Sequence, residues 1–218
     1  MFPRVTTSTP TKHSLKSLPA RTLRMNRTQT VTLASTSPFR KELLQRLGIP
    51  FVTAAPDVDE APLANETAVA LVRRLSEGKA RAIAANHPGL IIGSDQVATT
   101  GNNILGKPGT HERAFRQLRE LSGKRVTFQT GLCLLNTATD ESQVDVVPFI
   151  VKFRQLGDEQ IERYLQQDQP YHCAGSFKSE GLGIALFEYM EGTDPTALIG
   201  LPLIRLTSML AQAGIILP

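Results

Sequence analysis

Gln29-Thr30-Val31-Thr32-Leu33-Ala34-Ser35-Thr36-Ser37-Pro38-Phe39-Arg40 is the stretch that decides how the chain is read. Its first half is apolar and β-branched, so Gln29 to Ala34 is expected as a short buried strand. Small hydroxyl residues follow, with Ser37 directly before Pro38. A serine N-cap followed by proline at the first helical position, where a missing N–H costs nothing, starts a helix. Leu43, Leu44 and Leu47 form its apolar stripe and Gly48 ends it. The turn between strand and helix offers free backbone N–H groups and a positive dipole end.

Two more segments read as the same kind of unit, a strand running into a polar turn. They are Ile91-Ile92-Gly93-Ser94-Asp95-Gln96 and Ala174-Gly175-Ser176-Phe177-Lys178-Ser179-Glu180-Gly181. Between and beyond them the pattern predicts a strand at 51–55, an acidic loop at 56–60 and a long helix capped by Asn65 and running to about Asn86. Val69, Val72, Leu75 and Ile83 are its inward positions. A strand over 90–99, a hairpin turn at Gly101-Asn102-Asn103 and a stiff loop at Gly106-Lys107-Pro108 follow. Thr110 caps a helix to Leu121. Two long β stretches, 125–135 and 143–154, precede helices at 158–167 and 201–213. Strands and helices alternate early and a long hairpin follows. The expected fold is therefore α/β: an elongated mixed β-sheet flanked by helices, in two lobes with a central cleft.

Five of the 24 basic residues, Arg4, Lys12, Lys16, Arg21 and Arg24, precede Met25, and no acid precedes Glu42. The rest, with 20 acidic residues, is close to neutral, so a general nucleic-acid surface is not expected. Residues 1–28 read as a disordered basic tail, a transit segment or a misassigned start; the last reading takes Met25 as the beginning. Residues 29–218 read as a single domain. No apolar run nears the ~20 residues that cross a bilayer. Cys133 and Cys173 have no metal-binding spacing, and two free thiols in the cytoplasm are expected.

The candidate chemistry lies in the polar turns. Taken alone, Ser37 and Arg40 read first as an N-cap and a solvated arginine, with an anion site as the other reading. Asp95, ending an apolar strand, suits a general base or a metal ligand as well as a turn cap. Asp57, Asp59 and Glu60 read equally as magnesium ligands and as a solvated loop. Lys79, Lys107 and Lys178 are the candidate phosphate neutralisers; Lys79 alone would pass as a solvated helix lysine. Phe39 could stack on a base and Glu180 could accept from a guanine edge, or Phe39 is core and Glu180 surface. His172 and Cys173, adjacent in an expected strand, point to opposite faces, and structural roles are expected for both and for His111. No GxxxxGK[ST] motif occurs, which argues against a P-loop NTPase.

Together these segments resemble the Maf family of nucleoside triphosphate pyrophosphatases, from about Thr30 to the C-terminus. Ser37-Pro38-Phe39-Arg40, Val58-Asp59-Glu60, Glu77-Gly78-Lys79-Ala80, Gly93-Ser94-Asp95 and Gly106-Lys107-Pro108 match its motifs in order and spacing. The resemblance implies a Maf/ITPase-like fold. It implies hydrolysis between the α- and β-phosphates with a divalent metal, Mg²⁺ or Mn²⁺, and a homodimer. Asp95 would activate water, and Glu60 with Asp95 would bind the metal. Ser35, Arg40, Lys79, Lys107 and Lys178 would hold phosphates. Phe39, Gln96 and Glu180 occupy the positions that separate the branches and look like the 7-methyl-GTP branch. Phe39 departs from the tryptophan that branch carries. The dTTP/UTP branch carries Arg, Thr and Gln there; it stays as the alternative substrate class, and a non-catalytic inhibitor of septum formation as the alternative of another kind. Neither stable nucleic-acid binding nor a membrane is expected.

Overall fold

The structure, a computed structural model, describes residues 30–101 and 103–218, so the expectations for residues 1–28 and for Asn102 lie outside it. Strand β1 (Val31–Ala34) is wholly buried and passes through Ser37 into helix α1 (Pro38–Gln45). Ser37 Oγ accepts from the Arg40 amide at 3.4 Å, and Pro38 fills the first turn, as the sequence requires. Then come β2 (Val52–Ala54), α2 (Ala68–Ala82), β3 (Leu90–Thr100), β4 (Asn103–Leu105) and α3 (His111–Leu121). The chain continues through β5 (Arg125–Asn136), β6 (Glu141–Phe153), α4 (Asp158–Asp168), β7 (Phe187–Gly192) and α5 (Leu203–Gln212).

Seven strands form one mixed sheet in the order β2-β1-β3-β5-β6-β7, with β4 paired to β3. β1 is parallel to both β2 and β3; the remaining pairs are antiparallel. Ala34, the last residue of β1, pairs with Gly93, so β3 runs on past the carboxyl end of β1. That overhang opens a crevice at the strand end, the usual ligand position in sheets of this type.

The core falls into separate clusters. Phe128, Phe149, Phe153, Phe177 and Phe187 meet residues of α3 and α4 in one. Leu33, Leu44, Ile92 and Leu132 meet α5 in another. A smaller one, with Cys133, lies under α2. Among the described residues no helix is long and apolar enough to cross a membrane.

Four expectations need correction. Thr67, not Asn65, caps α2; Asn65 has φ 61°, whereas a cap residue has extended backbone. Val69 is exposed, because the stripe that meets the sheet begins at Leu71 and repeats through Val72, Leu75, Ser76, Lys79 and Ala80. The segment from Ala174 is a short 3₁₀ turn and loop rather than a strand. The Phe177 ring draws it onto the core, with centroids 5.3 Å from Phe128, 5.7 Å from Phe153 and 4.8 Å from Phe187. His172 and Cys173 accordingly sit in a turn, not on opposite faces of a strand. β7 had no expectation; past Phe187 its residues are exposed, so the edge strand carries little alternation to read.

Candidate active site

The site rests on how closely α2 approaches the sheet. A Cβ on Gly93 would lie 2.0 Å from the Ser76 carbonyl oxygen, and one on Gly131 would lie 2.1 Å from that of Val72. The two glycines sit on neighbouring strands, with Asp95 paired to Gly131. Backbone therefore lies directly on backbone, and the buried Lys79 side chain reaches down to β3. Side chains two apart on a strand share a face, so Asp95 projects from the same face as Gly93. Lys79 Nζ donates to Asp95 Oδ1 at 2.6 Å and lies 2.6 Å from Glu60 Oε1. Both Lys79 and Asp95 are buried, whereas Glu60 is reached from the loop before α2.

The opposite face of β3 anchors the far wall. Ser94 Oγ lies 2.8 Å from the carbonyl oxygens of both Gly131 and Gly200. Arg40 Nε donates to the same Gly200 carbonyl at 2.9 Å. Gly200 holds φ 115°, the left-handed region that favours glycine, and caps a 3₁₀ turn over Pro195–Ile199. Gln96 donates its amide to the carbonyls of Ala197 at 2.6 Å and Leu198 at 3.1 Å. Asp194 holds this segment, accepting from Thr196 N, Ile204 N and Arg205 N at 2.8–3.2 Å.

These elements enclose a cavity of about 690 Å³. Ser35, Phe39, Arg40, Glu60 and Lys79 line it, and so do Asp95, Gln96, Lys107 and Glu180. Ser35 Oγ accepts from the Ser37 amide at 3.1 Å, which fixes the turn at the head of α1. Lys107 and Glu180 are exposed and Phe39 half-buried. Lys178 stands apart: its Nζ donates to the Asp168 carbonyl at 2.6 Å, and the cavity wall does not include it. His172 and Cys173, given structural roles from the sequence, both face the cavity.

The charges interlock. The hydrogen bond from Lys79 holds the Glu60 carboxyl below its usual range against the cost of partial burial, helped by the charges of Lys79, Lys107 and Arg40. Burial lowers the Arg40 guanidinium, and Asp95 and Glu60 act the other way. Burial pushes the Cys133 thiol up to about 12 and also raises Cys173, so neither is an activated nucleophile. Among the described residues no group of three or more His, Cys, Asp or Glu side chains is placed to hold a metal. Glu60 and Asp95 alone supply two carboxylates, a set that suits a hard cation completed by phosphate oxygens and water.

Sequence reasoning missed the 194–200 segment, which braces Arg40, Ser94 and Gln96. Asp194-Pro195 before a glycine five residues on carries a cap-and-turn signal, but nothing local ties it to β3. It also missed Arg74, which donates to the Ala61 carbonyl, and Gln117, which donates to the Gly106 carbonyl at 3.1 Å; neither lines the cavity.

A family model described as Maf-like protein matches residues 30–213. A protein named 7-methyl-GTP pyrophosphatase from Nitrosococcus oceani is 61% identical over 186 residues, covering 85% of this chain and 94% of its own length. Proteins of the same name from Alcanivorax borkumensis and Pseudomonas aeruginosa are also similar. The first is 58% identical over 194 residues, covering 88% of this chain and 98% of its own. The second is 57% identical over 187 residues, covering 85% and 97%.

Proposed function

The chain belongs to the Maf family, and from that premise we propose that it hydrolyses 7-methyl-GTP to 7-methyl-GMP and pyrophosphate. The observation that carries the reading is the meeting of Lys79 with Glu60 and Asp95 in a cavity shared with Phe39, Gln96 and Glu180. Carboxylates, a cation and the candidate base-reading side chains line one cavity.

Asp95 takes a proton from a water whose oxygen bonds to the α-phosphorus. The bond from that phosphorus to the bridging oxygen breaks, and pyrophosphate leaves. Lys79 occupies Asp95 Oδ1, and among the described residues no donor reaches Oδ2, so that oxygen is free for the water. Lys107, Arg40 and the N-terminal turn of α1 neutralise charge on the phosphates.

A divalent cation is part of the proposal. Arg40, Lys79 and Lys107 stand against Glu60, Asp95 and Glu180, so the described cavity lining is balanced and brings no surplus positive charge to a triphosphate. Glu60 and Asp95 would hold the ion, which when bound would supply Lewis-acid neutralisation of the phosphate oxygens.

The base-reading wall supports a guanine. Gln96 spends its N–H groups on Ala197, Leu198 and Thr130, so toward a ligand it offers its Oε1 acceptor. Glu180 adds a carboxylate. Two acceptors suit the N1–H and amino donors of guanine and fit poorly the alternating acceptor–donor–acceptor edge of uracil or thymine. A cationic 7-methylguanine over Phe39 gains a cation–π contribution of ~0.5–2 kcal/mol. A cytoplasmic location belongs to the same reading, and the two free cysteines support it.

Hydrolysis in ¹⁸O-labelled water tests the reaction. The label is expected in 7-methyl-GMP, with unlabelled pyrophosphate, and the turnover should vanish in Asp95→Asn. Label in pyrophosphate, or full activity in the variant, overturns it.

A further inference from the structure

Glu60 presents a problem of placement. Its loop between β2 and α2 has no regular structure, and its side chain is 57% exposed, yet it meets the buried Lys79 ammonium at 2.6 Å. A mobile glutamate would lose rotamer freedom to reach that position, so something must hold the loop.

Arg74 on α2 does so. Its Nε donates to Glu66 Oε1 at 2.7 Å and its Nη2 to Glu66 Oε2 at 2.8 Å, a fork-to-fork pair. Nη2 also donates to the carbonyl of Ala61, the residue after Glu60, at 3.0 Å. Glu66 Oε2 accepts from the Leu63 amide at 2.9 Å, and Asp59 Oδ1 from the Ala61 amide at 2.9 Å. Ala61 is thus gripped on both its N–H and its C=O. The Glu66 side chain is only 7% exposed, although its neighbours face solvent. An exposed ion pair would do little; this one joins the loop to the helix that carries Lys79.

We propose that Arg74, together with Glu66, is a positioning residue for Glu60, holding its loop on α2 so that the carboxylate stands at Lys79 and the cavity. Arg74 itself is not among the residues that line the cavity. The fork cannot be replaced by a lysine, whose ammonium is a point donor without the planar bidentate geometry. The inference rests on the pyrophosphatase reading for its catalytic consequence and on the loop geometry alone for its structural one.

The test uses the full chain with Arg74→Ala, Arg74→Lys and Glu66→Gln, alone and in a Glu60→Gln background. Each single variant is expected to lower kcat/KM for 7-methyl-GTP by about 10–100-fold, the usual effect of losing a group that orients a ligand residue. In Glu60→Gln, Arg74→Ala should cost less than about twofold more, because its effect runs through Glu60. Hydrogen exchange at the Ala61 and Leu63 amides should quicken by about tenfold or more in Arg74→Ala, with β3 and β5 unchanged. Additive losses in the Glu60→Gln background would show that Arg74 acts by another route. Unchanged exchange at Ala61 and Leu63 would remove the clamp itself. If the wild-type protein hydrolyses no nucleotide, the pyrophosphatase reading falls, and the exchange result still decides the clamp.

Discussion

Lys79 and Asp95 lie 2.6 Å apart because Gly93, two residues before the aspartate, lets helix α2 rest its backbone on β3. The pair is buried on both sides, and Glu60 closes it from the loop. A buried pair is weak support for stability in itself, but removing one partner leaves the other charged and unmatched, at about 3–5 kcal/mol. The arrangement therefore serves position more than stability: it fixes the Asp95 carboxylate in the cavity wall.

Gly131→Ala separates packing from chemistry. The new Cβ would meet the Val72 carbonyl, so α2 must lift, at about 1–3 kcal/mol of stability by urea unfolding. Lys79 moves with the helix. We expect kcat to fall well beyond what the unfolded fraction accounts for, whereas Gly78→Ala, where a Cβ meets nothing within 4 Å, leaves kcat intact.

Asp194→Ala tests the brace on the other wall. Its carboxylate accepts from three backbone amides and from Thr196 Oγ1. Truncation orphans these donors at the head of α5 and in the 3₁₀ turn and should cost about 2–4 kcal/mol. Asp194→Asn should recover part of that in thermal melts.

The Lys79, Gly93 and Asp194 cases also show what the sequence makes legible. The turn at Ser37-Pro38, the helix caps at Thr110 and Ser37 and the long hairpin follow from local chemistry, and they are where expected. Lys79 falls on the buried stripe of α2, four residues after Leu75 and eight after Leu71, so its burial can be read from helical periodicity; a solvated reading ignores that spacing. Asp194 and Arg74 could not be placed, because their partners are set by contacts that no local pattern encodes. Phe177 misled for the same reason: its β-like neighbourhood is overridden by three aromatic rings.

The Arg74–Glu66 clamp predicts a pH dependence. The hydrogen bond from Arg74 first, and then that from the Leu63 amide, hold the Glu66 carboxyl down to about 2, from an ordinary value of 4.5. A depressed folded value means that the stabilisation is complete above the unfolded pKa and drains away as pH falls from about 4.5 toward 2. Stability measured by urea unfolding should fall across that window, and the slope should lessen in Arg74→Ala.

Glu180→Gln addresses base selection. Glu180 is exposed, so its replacement should leave the melting temperature unchanged. Losing one charge-assisted hydrogen bond of about 1.5–3 kcal/mol predicts a drop of about 10–100-fold in kcat/KM for 7-methyl-GTP. Little change in kcat/KM would take Glu180 out of base recognition.

The most direct test of the account is pyrophosphate release with Mg²⁺ from 7-methyl-GTP, GTP, dTTP, UTP and CTP, run beside Asp95→Ala. A clear preference for 7-methyl-GTP and no release in the variant are expected. A preference for dTTP or UTP, or release that survives loss of Asp95, would contradict it.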